Sequence, residues 1–391
     1  MLPEFFEFHN PTKVVYGAGL ALDLQAELSQ LPATRYFLVS DRAIQGIGLL
    51  DDIKTGLEAA GVVVAGVFLD VPANSEVKTV KACAEAARAC GAEGWVALGG
   101  GSVIDTAKAA NILLSEGGDL VADYSGAQTL TRPLKPLVAI PTTAGTGSEV
   151  TMVAVVYDAE NRVKTPFTDK FLLPNLAVLD PQVTASMPPG LTASTAMDAL
   201  THAMEAYIGP QWSPLTDALA AQAVRLVFLN VAAATGNGND MEARGALLIA
   251  SNMAGMAFTH SMVGCVHGMA HSVGALCHVP HGVANAILLP YGLDYNFAEV
   301  KEKLAGLAPA VGRDVAGITV EQAAGQVVEA VRGLTARLNS MGALPLRLRD
   351  VGVAEEILPE VAELTVMDGT SFYNPREVVA EDILDTLRQA Y

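Results

Sequence analysis

The sequence predicts an α/β protein in two parts, a parallel-sheet domain over residues 1–184 and an all-helical domain over residues 185–391. Three observations carry this. At 391 residues the chain exceeds the span over which a single hydrophobic core usually grows. From about Arg35 to Asp180, short β-rich runs alternate with Ala/Glu/Lys-rich helical stretches, the rhythm of a parallel α/β sheet. After Pro188-Pro189-Gly190 that rhythm stops, and long stretches rich in Ala, Leu and Met with helical spacing take over.

The strand runs, in order, are YFLVS at Tyr36, GVVVAGVFLD at Gly61, GWVALGG at Gly94 and LKPLVAIPTT at Leu134. VVVAGVFL is apolar on consecutive residues, which predicts a strand covered by helices on both faces. The helical runs that follow include LTASTAMDALTHAMEAY from Leu191 and DALAAQAVRLVFLNVAAA from Asp217. No internal repeat and no low-complexity linker separates the halves, so a tight hinge is expected near residue 185. A cleft between the halves is then the expected ligand site.

Composition excludes several classes. The chain is 51% hydrophobic and 17% charged, unlike a disordered protein, and its net charge of −18 repels nucleic-acid phosphates and anionic membrane surfaces. Cys83, Cys90, Cys265 and Cys277 are too scattered for a disulfide framework or a thiolate metal cluster and read as buried, reduced thiols. The opening MLPEFFEFHNPTK resembles neither a signal nor a transit peptide, and no uninterrupted apolar run approaches the roughly 20 residues of a membrane span. The expectation is a cytoplasmic protein with no nucleic-acid or membrane partner.

Gly99-Gly100-Gly101-Ser102 follows the apolar strand Trp95–Leu98 and opens a helix-forming run. Such a turn lets backbone approach a pyrophosphate, which the free amides of a helix N-terminus attract; glycine-rich βα turns are also ordinary punctuation. A second loop after Leu137–Ile140, running from Pro141 through Thr142, Thr143 and Ser148 to Glu149, crowds hydroxyls and glycines at a strand end, where ribose and phosphates bind in open α/β sheets. Together the two loops point to a dinucleotide. Asp41 ends the first clear strand, where a carboxylate would accept from a ribose diol and repel a 2′-phosphate. That favours NAD over NADP, with adjacent Arg42 softening the choice and a solvated loop aspartate as the alternative.

In the helical half, Asp198 and His202 stand four residues apart, as do His267 and His271, and His281 follows. Such pairs share a helix face one turn apart. Any one histidine alone reads as a hydrogen-bonded core residue. Together they do not, because between Leu191 and Pro290 the only fixed positive charges are Arg225 and Arg244 and the carboxylate of Asp198 needs a cation. One carboxylate with imidazoles suits Fe(II), Zn(II) or a similar ion, and with no Cys in the set a purely structural zinc site is disfavoured.

These segments resemble the iron-containing, or group III, alcohol dehydrogenases nearly end to end. The resemblance runs through NPTKVVYGAG, GGGSVID, PTTAGTGSEVT, AMDALTHAMEAY, VHGMAHSVGALCHVPHGVANA and the late NPR of Asn374 to Arg376. It implies a Rossmann-like domain and a helical metal domain in a dehydroquinate-synthase-like architecture. It also implies that Asp198, His202, His267 and His281 hold the metal, Fe(II) ahead of Zn(II), and that His271 stands by the nicotinamide and the bound alcohol. Gly99 to Ser102, that is Gly99, Gly100, Gly101 and Ser102, with Thr142, Thr143 and Ser148, would hold cofactor phosphates and riboses, and Lys164 the nicotinamide-side ribose. Phe258 and the segment Thr370 to Tyr373 would line the substrate pocket. Val153 departs from relatives that carry a polar residue near the cofactor.

The function so implied is hydride transfer between NAD(H) and a small uncharged primary alcohol, diol or aldehyde, with the metal as Lewis acid and His271 exchanging the proton. Two rivals share parts of the pattern. A lyase or cyclase of the dehydroquinate-synthase-like type needs a cationic clamp for its anionic substrate, and the metal domain offers only two arginines over its first hundred residues. A metallohydrolase has no use for two dinucleotide loops. Edge strands near the N-terminus and the apolar content suggest a homodimer.

Overall fold

The computed structural model describes residues 2–159, 161 and 163–391. They form two compact units, one of His9–Met187 and one of Pro188–Tyr391 with residues 2–8.

Among the described residues the first unit holds nine strands: β1 (Lys13–Tyr16), β2 (Arg35–Val39), β3 (Val63–Phe68), β4 (Gly94–Gly99), β5 (Gly126–Ala127), β6 (Leu137–Pro141), β7 (Val153–Asp158), β8 (Val163–Thr168) and β9 (Leu176–Leu179). Its helices are α1 (Gln25–Leu28), α2 (Arg42–Gly46), α3 (Leu49–Ala59), α4 (Val77–Ala89), α5 (Gly101–Ser115) and α6 (Leu120–Tyr124). Six strands make one parallel sheet in the order β1-β9-β6-β4-β2-β3, and β5-β8-β7 make a second, small one. Alternation along the strands divides the core. Phe37, Val39, Trp95, Ala97, Leu137 and Ala139 pack on one face with Val80, Cys83, Ile104 and Ala107 of α4 and α5. Tyr36, Leu38, Val96, Leu98, Val138 and Ile140 pack on the other with Leu50, Ile53 and Leu57 of α3. The central β4, buried at all six positions, therefore reads as a continuous apolar run.

β3 departs from the expectation of a strand buried on both faces. It lies at the sheet edge, and Val63 and Val67 are exposed. An apolar run reports β propensity and cannot distinguish a central strand from an edge strand.

Order reverses between β2 and β4, because the chain steps from β2 outward to β3 and then returns to the other side of β2. The carboxyl ends of β2 and β4 thus flank the switch point at which open α/β sheets bind ligands. Behind it, α5 anchors the segment leading into β7. Lys108 is buried, and its ammonium donates to Thr151 O at 2.8 Å, Thr151 Oγ1 at 3.1 Å and Val153 O at 2.9 Å. One turn earlier, Asp105 accepts from Val155 N at 3.0 Å.

In the second unit the described helices are α7 (Pro189–Ile208), α8 (Pro214–Gly236), α9 (Met241–Ser261), α10 (Cys265–Cys277), α11 (His281–Gly306), α12 (Val320–Ser340), α13 (Leu358–Met367) and α14 (Ala380–Ala390). The Pro-Pro-Gly texture change is the start of α7, with Pro189 at its first turn, where its missing N–H costs nothing. α8 is long and apolar enough by composition to cross a membrane, although Asp217 and Arg225 interrupt it; it packs on α7 and α9. α9 and α10 meet at a bend of 103°, made by Met262 at φ 65°. A side chain there holds a strained backbone costing about 1–3 kcal/mol, which the surrounding packing must outweigh. Phe8 stacks on His260 with centroids 4.3 Å apart, fixing residues 2–8 to this unit.

Replacing Lys108 with Met leaves the carbonyls of Thr151 and Val153 without their buried donor. The expected outcome is a loss of about 2 kcal/mol in unfolding free energy by urea titration; an unchanged midpoint would show that these contacts contribute nothing.

Candidate metal and dinucleotide sites

At the switch point Asp41 caps α2, its Oδ1 accepting from Ala43 N and Ile44 N, each at 2.9 Å. Neither amide bond uses Oδ2. Arg42 turns to the exposed Asp70, with Nη2 to Oδ1 at 2.6 Å. Across the crevice the glycine turn and the loop after β6 pack against each other. A Cβ at Gly101 would lie 2.7 Å from Thr146 Cγ2, one at Gly100 3.2 Å from Thr143 Oγ1, and one at Gly99 2.5 Å from Val103 Cγ2. Thr142 N donates to Gly99 O at 3.1 Å. The glycines are thus fixed by the packing of the turn itself, and the two expected cofactor loops form one surface.

Two hydroxyls on that surface are engaged within the protein. Ser102 Oγ donates to Ala73 O, and Ser148 Oγ donates to Asp105 Oδ1 at 2.6 Å. Ser148 is buried, and burial raises the carboxyl pKa of Asp105 against the opposing charges of Lys108 and Lys164. Lys164, on β8, lies near that carboxylate, and Val153 offers its carbonyl to Lys108.

In the helical unit three helices converge. Asp198 on α7, His267 on α10 and His281 at the start of α11 each present one atom within 4.8 Å of the others. Nε2 of His267 lies 3.8 Å, and Nε2 of His281 3.4 Å, from Asp198 Oδ1. His202, one turn along α7 from Asp198, sits beside this trio. Its ring stacks between Phe258, at 4.2 Å, and His267, at 4.4 Å. His271 joins through rings too, stacked on His281 at 5.2 Å.

Asp198 is 3% exposed. Burial raises its pKa, but the imidazoles of His202, His281 and His267 and the amide of Asn285 outweigh that and hold the carboxyl below its ordinary range. Burial, with the like charge of His202, holds the imidazole of His267 neutral, its pKa well below the usual histidine value. The donor set is therefore one carboxylate oxygen and imidazole nitrogens, that of His267 held neutral, the chemistry that a divalent transition metal takes.

Asn285 reports where the lone pairs point. Its side-chain amide donates to Asp198 Oδ1 at 2.6 Å and faces Nε2 of His281 at 3.2 Å and of His267 at 3.3 Å. Two N–H bonds cannot serve three acceptors at once. Its Oδ1 is buried without a hydrogen-bond partner. A cation bound by the three converging atoms would satisfy those three acceptors together, so the residues present fit a divalent metal.

A second layer fixes the histidines. Glu205, two turns along α7 from Asp198, accepts from His267 Nδ1 at 2.5 Å and from Val266 N at 2.8 Å. Burial pushes this carboxyl up to about 7 against the backbone amides of Gly264, Val266 and His267. Asp368 Oδ2 lies 2.9 Å from His271 Nδ1, while its Oδ1 accepts from Thr370 N and Oγ1 at 2.9 and 2.7 Å. Burial opposes the shift, but His271 and Thr370 hold the Asp368 carboxyl down at about 2. Thr370 thus orients Asp368, and Phe258 packs on His202; both expected pocket residues touch the metal cluster's surroundings. Phe372 is 84% exposed within the unit.

Glu205, Asp368 and Asn285 were not among the residues singled out by sequence. Glu205 left a signal, since α7 carries only two formal charges, Asp198 and Glu205, at a spacing that returns to one face. Asp368 and Asn285 left none short of the fold. The NPR stretch is explained by packing. Asn374 Oδ1 accepts from Cys265 N at 3.1 Å, and the Arg376 guanidinium lies over the Tyr295 ring at 4.2 Å.

Asp198→Ala and His281→Ala are expected to reduce Fe(II) or Zn(II) bound at equilibrium dialysis well below one per chain. His278→Ala, at an exposed residue outside the cluster, should retain full binding. Equal binding by all three variants would remove the metal from this cluster.

Residues 11–181 match the family described as iron-containing alcohol dehydrogenase, and residues 192–391 match the C-terminal part of the Fe-containing alcohol dehydrogenase family. The 1,3-propanediol dehydrogenase of Citrobacter freundii is 38% identical over 388 residues, covering 99% of each chain. A crystal structure of a 1,3-propanediol oxidoreductase superposes with TM-score 0.95 at 37% identity, covering 99% of this chain and 100% of the other. Sulfoacetaldehyde reductase from Bifidobacterium kashiwanohense, solved in complex with NAD+, superposes with TM-score 0.85 at 28% identity over 99% of each chain. With both units matched, the chain belongs to the iron-containing alcohol dehydrogenase family and is an oxidoreductase of alcohols and aldehydes that works with NAD and a divalent metal ion.

Proposed function

We propose that the chain interconverts small, uncharged primary alcohols or diols and their aldehydes, using NAD(H) in preference to NADP(H) and Fe(II) as the working metal, as a cytoplasmic homodimer. The observation that carries the reading is the convergence of Asp198, His267 and His281 on one point, in a stretch whose only two arginines between Leu191 and Pro290 are placed elsewhere. Arg225 is exposed, and buried Arg244 is spent on Gly238 O and Thr192 Oγ1. With neither arginine forming a cationic clamp beside the trio among the described residues, an uncharged substrate is favoured over an anionic one.

When bound, NAD supplies the hydride acceptor or donor and the cation the Lewis acidity that polarises the substrate oxygen. The residues supply position and a proton path. Asp198, His267 and His281 would hold the cation, with His202, whose ring stacks on that of His267, as the fourth expected ligand. His271 is half-buried, and its Nδ1 is held by Asp368 at 2.9 Å. That bond leaves Nε2 as the atom that exchanges the hydroxyl proton with solvent. At the dinucleotide loops, Oδ2 of Asp41 would accept from the ribose diol while Oδ1 keeps its cap on α2.

Two measurements test this reading. His271→Ala should lower kcat about 100-fold with metal content intact; unchanged turnover removes it from the proton path. Asp41→Ser keeps an N-capping oxygen but removes the carboxylate, so kcat/KM with NADP should rise about tenfold, a change of some 1.4 kcal/mol. A wild-type preference for NADP would overturn the Asp41 assignment.

A further inference from the structure

We propose that Glu205 is a positioning residue for the metal centre: it fixes the tautomer of His267 and the N-terminus of α10 together, so that Nε2 faces the cation with its lone pair. This rests on the metal reading of the preceding section.

Glu205 already faces two backbone donors, Val266 N at 2.8 Å and His267 N at 3.4 Å, which favour its ionised, accepting form, and in that form the 2.5 Å contact places the imidazole proton of His267 on Nδ1. The other ring nitrogen is independent evidence for the same tautomer. Nε2 faces the amide donor of Asn285 at 3.3 Å, an arrangement that needs a lone pair there. Both ends of the ring thus demand Nδ1–H and a bare Nε2, the form that binds metal.

The same carboxylate holds the helix that carries the ring. Gly264 precedes α10 and has no side chain to cap it, so the first amide N–H groups need acceptors from elsewhere. Glu205 Oε1 takes Val266 N at 2.8 Å, Oε2 lies 3.4 Å from His267 N, and Asn374 Oδ1 takes Cys265 N at 3.1 Å. A carboxylate also suits the positive end of the helix dipole. The approach depends on Gly264. A Cβ there would lie 2.7 Å from Asn374 Oδ1 and 3.1 Å from Glu205 Oε1. Glu205 therefore couples the register of α10 to the aim of one ligand without touching the metal position.

Glu205→Gln separates the two roles. The amide still accepts from Val266 N through its oxygen, but it turns an N–H toward His267 Nδ1, which must then accept. The imidazole proton moves to Nε2 and blocks the ligand lone pair. The expected result is a 10- to 100-fold weaker Zn(II) affinity by competition with a chelator of known affinity. In ¹⁵N-histidine spectra of metal-free protein, His267 should read Nδ1–H in the wild type and Nε2–H in the variant. Wild-type protein that binds no Zn(II) defeats the metal reading itself; wild-type protein that binds it equally with the variant defeats only the role of Glu205. Should Glu205→Gln fail to fold, the wild-type spectrum decides, since Nε2–H on His267 overturns the proposal.

Discussion

A carboxylate sealed away from water beside two imidazole lone pairs is an arrangement that its own neighbours do not complete. Asp198 is ionised and buried, and buried Arg244 is engaged with Gly238 O and Thr192 Oγ1. Asn285 brings one amide nitrogen to three acceptors, and its oxygen has no partner. Polar groups in such a place are tolerated only when something satisfies them, and a divalent cation does so in one step. Much of the helical unit can be understood as the means of holding those acceptors against each other. α7, α10 and α11 each contribute one, and the 103° bend at Met262 delivers α10 to its place.

Close packing is the instrument throughout. Gly264 lets Glu205 and Asn374 reach the amides of α10, and Gly292 on α11 gives way to Val266, whose Cγ2 would lie 2.3 Å from a Cβ. In the α/β unit the same logic joins the glycine turn to the loop after β6, through Gly101 against Thr146 and Gly100 against Thr143. Residues that resemble ligand contacts in a sequence are thus also residues that make the loop possible. Ser148 and Ser102 carry this furthest, because their hydroxyls are engaged with Asp105 and Ala73.

Much of the architecture was legible because burial writes itself into composition. The alternation over Arg35 to Asp180 and the Pro-Pro-Gly break correspond to a parallel sheet and to the start of α7. The i, i+4 pairs and the lack of local countercharge led to the cluster containing Asp198, His267 and His281. What escaped was set by partners distant in sequence. β1 and β9 are four-residue strands that pair with each other across the unit, and the apolar β3 proved to be an edge. Asp368 meets His271 across 97 residues, and Asn285 meets Asp198 across 87. The capping role of Asp41 was local but competed with a more specific reading of the same carboxylate.

The point where the lone pairs of Asp198, His267 and His281 meet is the place for a cation. Crystals of the protein loaded with Fe(II), measured at the iron absorption edge, should show one anomalous peak about 2.0–2.2 Å from Asp198 Oδ1 and from Nε2 of His267 and His281. An iron peak elsewhere, or none while Asn285 keeps its contacts to all three atoms, would contradict it.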